Sequence, residues 1–344
     1  MKKIAIITAV GIGDIISLSP LTKKLKSIYP DSWIVLYSFN GGFFESAQID
    51  YVDAIITYGR ITRVPQLFRT KLDILIGWGG ISRIFGLVYQ ILYYALITFL
   101  PAEKKIFYSQ KEACSLLRTN VCKVKVDILK KLSIPVTETD YPPFIPYAFA
   151  AGREKIKKFL NESGIRQHIP TVIFHVGAKK NMQVRFWQTE KWIAVVEHIH
   201  RHYDANIVFI GSEIDSAQTE TIMQAFSFPI VNAVGLFSIA ETTALVETAD
   251  FFISTNSGPM WIANALQIPQ VVICSGTSKA CWYPYQHPNV KSVVVRKPLQ
   301  RKYCDPDHKP ECNDKKCMYG DYACIRTIEV VDVINAIDAL GVIT

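Results

Sequence analysis

Residues 252–277 constrain the fold of this chain more than any other stretch. Two short apolar runs there flank a turn of small residues, Asn256-Ser257-Gly258, that leads directly into a helix-patterned segment. The order strand, turn, helix, strand is typical of an open α/β sheet, and Pro259 suits the first helical position. Because the amide groups at such a helix start have no partner within the helix, the turn is suited to phosphate binding.

Strand-like and helix-like patterns alternate through the rest of the chain. The apolar strand patterns lie at residues 4–9, 33–38, 54–58, 72–76, 172–176, 207–210, 251–254 and 271–274. Such alternation predicts parallel sheets with helices on both faces. A chain of 344 residues suits two domains of about 150 residues each, and four prolines between positions 135 and 146 indicate a linker near residues 138–150.

Residues 256–261 read Asn-Ser-Gly-Pro-Met-Trp. This run resembles the nucleotide-binding signature of the ADP-heptose heptosyltransferases, glycosyltransferase family nine, in which an acidic residue precedes Ser-Gly-Pro-Met-His and an Ala-rich helix. The similarity extends upstream through residues 235–250 and downstream to residues 276–277. A Gly-Pro helix start in any Rossmann-like crossover accounts for residues 257–259 alone, so the longer run favours the family.

The resemblance implies an α/β fold with two Rossmann-like doubly wound domains facing a cleft, the GT-B glycosyltransferase architecture. We expect an N-terminal acceptor-binding domain at residues 1–145 and a C-terminal nucleotide-sugar-binding domain at residues 146–326. A last helix at residues 327–344 is expected to pack back against the N-terminal domain. Its apolar residues, spaced from Ile328 to Leu340, fall on one helical face.

The first predicted strand is followed by Gly11-Ile12-Gly13-Asp14. The two glycines, Gly11 and Gly13, allow the backbone to turn tightly and to approach a ligand. The longer run, residues 11–30, resembles the family's opening motif, in which this aspartate is the catalytic base. Inverting glycosyl transfer needs a carboxylate that takes the proton of the acceptor hydroxyl, so Asp14 is the candidate base. A simple helix cap is the alternative role for Asp14.

The resemblance assigns donor binding to the second half of the chain. The run from His175 to Trp187 is similar to the family's His-Pro-Gly-Ala loop and Lys-x-Trp element, with Arg185 in place of the family lysine. A guanidinium can bind phosphate oxygens through two hydrogen bonds, so the exchange can preserve the role. His175, at a strand end, is expected to be structural rather than catalytic. The expected donor-binding residues are Lys179, Arg185, Gly211, Glu213, Asn256, Ser257, Gly258 and Trp261.

Several of these residues have a second interpretation. Glu213 could hold a ribose hydroxyl of the donor. A solvated surface position is the alternative for Glu213, and equally for Lys179 and Arg185. Asn256 replaces the family's aspartate and removes a charge beside the diphosphate. Trp261 replaces a histidine and fills space near the donor sugar. Either the sugar differs from the family's heptose, or the pocket is repacked around the same donor.

Four cysteines, Cys304, Cys312, Cys317 and Cys324, lie within 21 residues. Four thiolates can hold zinc or iron tetrahedrally, although the spacing lacks the Cys-x-x-Cys pairs of a strong zinc motif. A structural metal, reduced thiols and disulfides are the open alternatives. No cofactor is expected to be required for catalysis, because no Asp-x-Asp pair outside this tail supplies a metal clamp.

Residues 84–100 form an apolar run of 17 residues in which only Gln90 is strongly polar. A helix of that length spans about 25 Å, short of the roughly 30 Å hydrocarbon core, which favours a buried or interfacial helix over a transmembrane one. Peripheral inner-membrane contact, a core helix and a true span are the alternatives. The N-terminus lacks a secretory signal pattern, so the expected location is the cytoplasm, with any membrane contact at its cytoplasmic face.

Together these features predict a cytoplasmic, inverting, metal-independent glycosyltransferase. It is expected to move a sugar, with heptose from ADP-heptose favoured, to a lipopolysaccharide-core or other surface-glycan acceptor. The formal charge of +8 is spread along the chain and argues against nucleic acid as a partner. The alternatives are a non-catalytic nucleotide-sugar binder or membrane scaffold, a glycosyltransferase that uses another nucleotide sugar, and a sugar-nucleotide epimerase.

Overall fold

A computed structural model describes most of the chain as two compact units, Met1–Ala148 and Phe149–Thr344. The boundary falls inside the predicted linker, at 148/149 rather than at 145/146. The described residues are 1–8, 11–38, 48–57, 71–78, 98–108, 112, 116, 119–177, 183–275, 280–297, 299–301 and 317–341.

The first unit is built on a parallel sheet. Its strands are β1 (Lys3–Thr8), β2 (Trp33–Ser38), β3 (Ala54–Thr57), β4 (Leu72–Trp78) and β5 (Ala102–Tyr108), in the order β3-β2-β1-β4-β5. Helix α1 (Ile12–Ile28) follows β1, and helix α2 (Val121–Asp127) comes after the sheet, with short 3-10 turns at Ile128–Leu132 and Glu138–Asp140. The chain runs outward from β1 to β3 and then returns to β4, so the strand order reverses between β1 and β4.

Helix α1 is unusually well buried for a helix that contains a proline. Its inward residues Ile16, Leu18 and Leu21 are at most 1% exposed. Pro20 has no N–H for the carbonyl of Ile16, one turn earlier, and the hydroxyl of Ser19 donates to that carbonyl at 2.7 Å. The Ser19 hydroxyl thus replaces the missing N–H as the partner of the Ile16 carbonyl, so the helix continues through Pro20.

The second unit repeats the architecture with a longer parallel sheet. Its strands are β6 (Thr171–His175), β7 (Asn206–Phe209), β8 (Val231–Asn232), β9 (Phe251–Thr255), β10 (Gln270–Ile273) and β11 (Ser292–Val295), in the order β11-β10-β9-β6-β7-β8. Its helices are α3 (Gly152–Glu162), α4 (Thr189–His202), α5 (Ser216–Met223), α6 (Ile239–Val246), α7 (Gly258–Ala265), α8 (Ala323–Arg326) and α9 (Val330–Leu340). Short 3-10 turns lie at Gln183–Arg185, Glu213–Asp215 and Ala280–Trp282.

Helix α9 belongs to the core of the second unit. Its apolar face, which includes Val333 and Ile337, is buried in one cluster with Trp187 and with strands β10 and β11. The indole N–H of Trp187 donates to the carbonyl of Ile328 at 3.0 Å, which anchors the segment that leads into the helix. Helix α9 covers apolar surface that the second sheet and helix α4 leave. The expected packing of residues 327–344 against the N-terminal domain stays a prediction.

Candidate functional site

The strand order of the second unit reverses between β6 and β9, which lie side by side. In open α/β sheets the crevice beyond the carboxyl ends of the strands at such a reversal is the usual ligand site. Here the two strand ends bring His175, the last residue of β6, next to the turn that follows Thr255 at the end of β9. The turn is the same Asn256-Ser257-Gly258 segment that the sequence singles out.

The start of helix α7 is held by a short chain of hydrogen bonds. The Ser257 hydroxyl oxygen lies 3.1 Å from Nδ1 of His175 and 3.1 Å from the carbonyl oxygen of Thr255. The Thr255 hydroxyl in turn donates to the carbonyl of Gly177 at 3.1 Å. Both of these contacts lie outside α7, and the Ser257 side chain does not cap the amides of its own helix. Those amides remain oriented toward whatever binds at the turn.

A guanidinium group meets the same turn. Arg185 ends a 3-10 turn after β6, and its Nη1 donates to the carbonyl of Asn256 at 2.8 Å. The structure therefore brings Arg185 together with the turn at residues 256–258, and donor binding by these residues stays a prediction. A cation beside a helix N-terminus concentrates positive potential, which favours an anionic group such as phosphate.

The structure also shows a buried carboxylate that the sequence did not single out. Asp215 is 7% exposed and accepts hydrogen bonds from the backbone N–H of Ser212 at 2.7 Å and from its hydroxyl at 2.9 Å. A Cβ atom added at Gly177 would lie 1.8 Å from Asp215 Oδ1, and one at Gly211 would lie 2.8 Å from Oδ2. The three-residue spacing from Ser212 to Asp215, typical of a capping box, was the available signal.

Asp215 also faces His175 across the site. Its Oδ2 lies 3.9 Å from Nε2 of His175, and both side chains are at least nine-tenths buried. Burial lowers the pKa of His175, while the carboxylate of Asp215 acts in the opposite direction. The imidazole is therefore neutral at neutral pH, and one ring nitrogen carries a hydrogen while the other accepts.

The loop after β7 carries Glu213 at an exposed position. The backbone N–H of Gly235 donates to the carbonyl of Gly211 at 3.0 Å, which joins this loop to the one after β8. Gly235 has φ of +74°, a left-handed conformation that favours glycine, and it lies directly over the backbone of Glu213. The joined loops therefore present the Glu213 side chain to solvent at the same edge of the sheet as the α7 turn.

In the first unit, Asp14 lies in the first turn of α1, directly after β1 and beside the point where the strand order reverses. Its Oδ2 accepts the backbone N–H of Gly11 at 3.3 Å. Gly11 is exposed, and Gly13 is partly exposed in the same turn. The Asp14 carboxylate therefore accepts a hydrogen bond at the start of its own helix, as its alternative role as a helix cap requires. Asp14 is also partly exposed to solvent.

A buried lysine lies behind Asp14. Lys125 of α2 is 3% exposed, and its ammonium donates to the backbone carbonyl of Asp14 at 3.0 Å and to the hydroxyl of Ser17 at 2.7 Å. Burial raises the pKa of Asp14, and the charge of Lys125 and the N–H of Gly11 oppose that rise. Burial likewise lowers the pKa of Lys125, which the charge of Asp14 opposes. No sequence pattern indicates this pairing, since Lys125 lies 111 residues from Asp14.

The profile of glycosyltransferase family 9 (heptosyltransferase) matches residues 90–316, about two thirds of the chain. The chain belongs to glycosyltransferase family 9. Lipopolysaccharide heptosyltransferase 3 of Escherichia coli is 22% identical to it over 307 residues, which is 80% of this chain and 84% of the relative. This relationship confirms the predicted family and identifies the chain as a glycosyltransferase.

Solved structures of low sequence identity share the fold of this glycosyltransferase. The glycosyl transferase family 9 protein from Veillonella parvula is 17% identical, with a TM-score of 0.71 over 98% of this chain and 97% of that one. Escherichia coli heptosyltransferase WaaC, solved with ADP-2-deoxy-2-fluoro heptose, is 14% identical, with a TM-score of 0.59 over 98% of this chain and 99% of that one. The predicted fold class, with two parallel-sheet α/β domains, is confirmed.

The two positions where this glycosyltransferase departs from the family signature are both buried. Asn256, in the turn before α7, is 5% exposed, and Trp261, within α7, is 3% exposed. Trp261 therefore offers a ligand little surface, and its indole fills space within the unit. For Asn256 the observed role is that of its backbone carbonyl, which accepts the Arg185 hydrogen bond.

Several predicted features lie partly or wholly outside the described residues. Lys179, Cys304 and Cys312 lie outside them, as do residues 84–97 of the apolar run. Cys324 is buried in α8, and Cys317 lies with its Sγ 3.9 Å from Asp321 Oδ1. Within the part of the chain that the structure describes, no group of three or more His, Cys, Asp or Glu side chains could hold a metal ion. None of the helices in that part is long and apolar enough to cross a membrane.

Proposed function

We propose that this glycosyltransferase moves a heptose from ADP-heptose to a lipopolysaccharide-core or other surface-glycan acceptor, with inversion at the anomeric carbon and without a catalytic metal ion. The observation that carries the proposal is the hydrogen bond of 2.8 Å between Arg185 and the Asn256 carbonyl at the start of α7. This hydrogen bond holds a cation beside a helix N-terminus, at the point where the strand order of the second sheet reverses.

The relatives support an ADP-activated heptose as the donor. WaaC was solved with ADP-2-deoxy-2-fluoro heptose, and the E. coli relative is a lipopolysaccharide heptosyltransferase. In this chain the diphosphate would lie against the amides of Ser257 and Gly258 and the Arg185 guanidinium, with Lys179 as a second cation. Glu213, exposed on the loop after β7, would accept a hydrogen bond from a ribose hydroxyl, with Gly211 shaping the turn.

The donor-side groups would also promote departure of the nucleotide. As the bond between the anomeric carbon and the phosphate oxygen breaks, the electron pair leaves with ADP, and negative charge grows on its terminal phosphate. Oriented amides and a guanidinium stabilise such charge without having to reorganise. This arrangement would supply the positive charge that a metal ion provides in other glycosyltransferases, which is why we propose a metal-independent reaction.

Asp14 would act as the general base. The acceptor hydroxyl oxygen attacks the anomeric carbon and forms the new C–O bond, and its proton passes to the Asp14 carboxylate. A single displacement of this kind inverts the anomeric configuration. Burial raises the pKa of Asp14 and makes its carboxylate a better proton acceptor, while the charge of Lys125 opposes that rise.

The acceptor would bind near Asp14 and near the apolar run at residues 84–100, which we propose makes peripheral contact with the inner membrane. Phe99, in the described end of this run, has 69% of its side chain exposed. The cytoplasmic location stays part of the proposal, and so does a structural zinc or iron at Cys304, Cys312, Cys317 and Cys324.

A thermal-shift panel of ADP, UDP, GDP and CMP tests the donor assignment. A nucleotide that binds only the folded protein raises the melting temperature with its concentration relative to Kd, so ADP should give the largest rise. Preference for another base would move the donor assignment to a different nucleotide sugar. If none of the four nucleotides shifts the melting temperature, the proposed donor is wrong. If transfer needs added divalent metal, the proposed metal independence is wrong.

A further inference from the structure

We infer that the outer edge of the first sheet binds an anionic lipid bilayer. The side chains that carry this inference are Phe99, Lys104, Lys105 and Phe107, which we call the β5 edge. The inference rests on the membrane contact in the proposed function: it names the lipid class and adds strand β5 to the apolar run at residues 84–100. Strand β5 is the last strand in the order β3-β2-β1-β4-β5, so its outer side faces no other described strand.

Two phenylalanine rings are exposed on the β5 edge, although the backbone around them is fixed. Phe99 is 69% exposed, whereas the adjacent Leu100 is completely buried in the core of the first sheet. Phe107 is 43% exposed, and its partner in register on β4 is Gly77, which has no side chain to cover the ring. Burial of such rings in an apolar phase is favourable, and two of them on one edge indicate a surface that meets a partner.

The lysines of the β5 edge give it a positive charge. Lys104 and Lys105 are both exposed, and the Lys105 ammonium donates to the backbone carbonyl of Thr98 at 2.7 Å, a contact that leaves its charge uncompensated. The neighbouring carboxylate of Glu103 pairs with Lys71 at 3.0 Å. Exposed aromatic rings with lysines beside them are typical of proteins that lie at the headgroup level of a membrane. The positive charge makes an anionic leaflet the favoured surface.

A second copy of the chain is the other occupant that an edge strand could take, by pairing strand to strand. The β5 edge is poorly suited to such pairing, because the Lys131 ammonium donates to the Phe107 carbonyl at 3.0 Å and occupies a backbone acceptor. In a symmetric antiparallel pair, Lys104 and Lys105 would also meet like charges. An anionic bilayer accommodates both the rings and the lysines, so lipid is the occupant that we infer.

The test measures how the full-length protein sediments with vesicles of phosphatidylcholine alone or mixed with phosphatidylglycerol. The native protein should bind the mixed, anionic vesicles more tightly, and added salt should weaken that binding. Lys104→Gln combined with Lys105→Gln should lower the partition coefficient about 25-fold, roughly fivefold for each charge. Phe99→Ser and Phe107→Ser should each lower it about 5- to 20-fold, because less apolar surface enters the headgroup region.

Control variants in the second unit make the same chemical changes away from the β5 edge. They are Lys157→Gln combined with Lys158→Gln, and Val331→Ser at a position that is 57% exposed. Both should bind the vesicles as the native protein does, and circular dichroism checks that every variant is folded. Equal binding by the β5-edge variants and the controls would overturn the inference. It would also be overturned if the phenylalanine changes only weakened self-association of the lipid-free protein, since a second copy would then cover the edge.

The vesicle experiment is independent of the donor and of the transfer reaction, because it contains neither donor nor acceptor. If the β5-edge variants lose vesicle binding and the native protein transfers no heptose, the proposed reaction fails and this inference stands. If the native protein transfers heptose but does not bind anionic vesicles, this inference fails alone. Equal binding of the native protein to neutral and anionic vesicles also overturns it, because the lysines would then contribute nothing.

Discussion

The turns that follow β1 and β9 occupy equivalent places in their sheets, yet they have opposite chemistry. Each comes after a central strand at the point where the strand order reverses, and each opens a helix. In the first turn, Asp14 accepts an N–H at the start of its own helix, and a buried lysine lies behind it. In the second, the Ser257 hydroxyl bonds away from its helix, and Arg185 reaches the same turn. A carboxylate at the first turn would repel phosphate, whereas a helix start with a cation beside it would attract phosphate at the second, so one architecture can supply a base in one unit and an anion site in the other.

Replacing Asp14 should have the largest effect on activity. Asp14→Asn removes the proton acceptor but keeps the shape of the side chain, so we expect kcat to fall by about 10²- to 10⁴-fold. The affinity for ADP, measured by calorimetry, should not change, because the second turn is intact. Asp31→Asn, which neutralises an exposed carboxylate of the first unit, is the matched control and should leave kcat unchanged. Full transfer activity in Asp14→Asn would end the assignment of the base and favour a non-catalytic binder.

Replacing Arg185 should weaken donor binding at the second turn. Arg185→Ala removes the cation at the second turn, and we expect the donor KM to rise by about 10- to 100-fold. Arg185→Lys should recover part of the loss, because a lysine keeps the charge without the planar fork. Arg201→Ala, which removes an exposed arginine on α4, controls for net charge. A donor KM as low as that of the control would show that the second turn does not depend on this cation.

Adding a methyl group should show that the loop beside the second turn, which follows β6, is more tightly packed than the first turn. In Gly177→Ala the new Cβ would overlap the buried Asp215 carboxylate at 1.8 Å, so we expect the free energy of unfolding to fall by about 1–3 kcal/mol. In Gly11→Ala the new Cβ would lie 3.1 Å from the partly exposed Asp14 carboxylate, which can move, so the loss should be smaller. Urea unfolding monitored by circular dichroism measures both. Equal losses would mean that the carboxylate of Asp215 moves as readily as that of Asp14.

The smallest effect should be a change in pH dependence at the first turn. The positive charge of Lys125 opposes the rise that burial causes in the pKa of Asp14, so Lys125→Met should raise that pKa further. Because the base must be ionised, the acid limb of the kcat profile should move to higher pH, and each unit of movement costs about tenfold in rate below the limb.

Two variants separate charge from hydrogen bonding in that profile. Lys125→Arg keeps the charge, and Ser17→Ala removes one acceptor of the ammonium while leaving the charge in place. Both should keep the acid limb near its native position. Cys122 also faces Lys125, but burial raises the pKa of its thiol to about 12, so it contributes no charge near neutral pH. A limb that does not move in Lys125→Met would show that this charge does not act on the base.

The local part of the site could be predicted from sequence because short-range rules govern it. The strand ending at Thr255, the turn of small residues and the helix beginning at Gly258 follow from apolar runs, turn residues and Pro259. The same holds for the first turn and Asp14. The positions of Arg185 and Asn256 came from a family resemblance, and the structure brings them together.

The remaining part of the site depends on contacts between distant residues. Neither Lys125 behind Asp14 nor Asp215 beside His175 lies in a local pattern that reveals its partner. Helix α9 shows the same limit: its amphipathic period predicts that one face is buried, but the period does not say which surface covers it. Only the packed second unit shows that α4, β10 and β11 do so.

The placement of α9 has a consequence for how the protein is made. Domains tend to fold in order as a chain leaves the ribosome. The first unit, Met1–Ala148, draws its sheet and helices from its own stretch of chain, so it can fold while the rest is being translated. The core of the second unit cannot be completely buried until α9 has been translated, because α9 packs against Trp187 and strands β10 and β11. The second unit would thus be the last part to mature, and a nascent chain stalled before Val330 would expose apolar surface to chaperones.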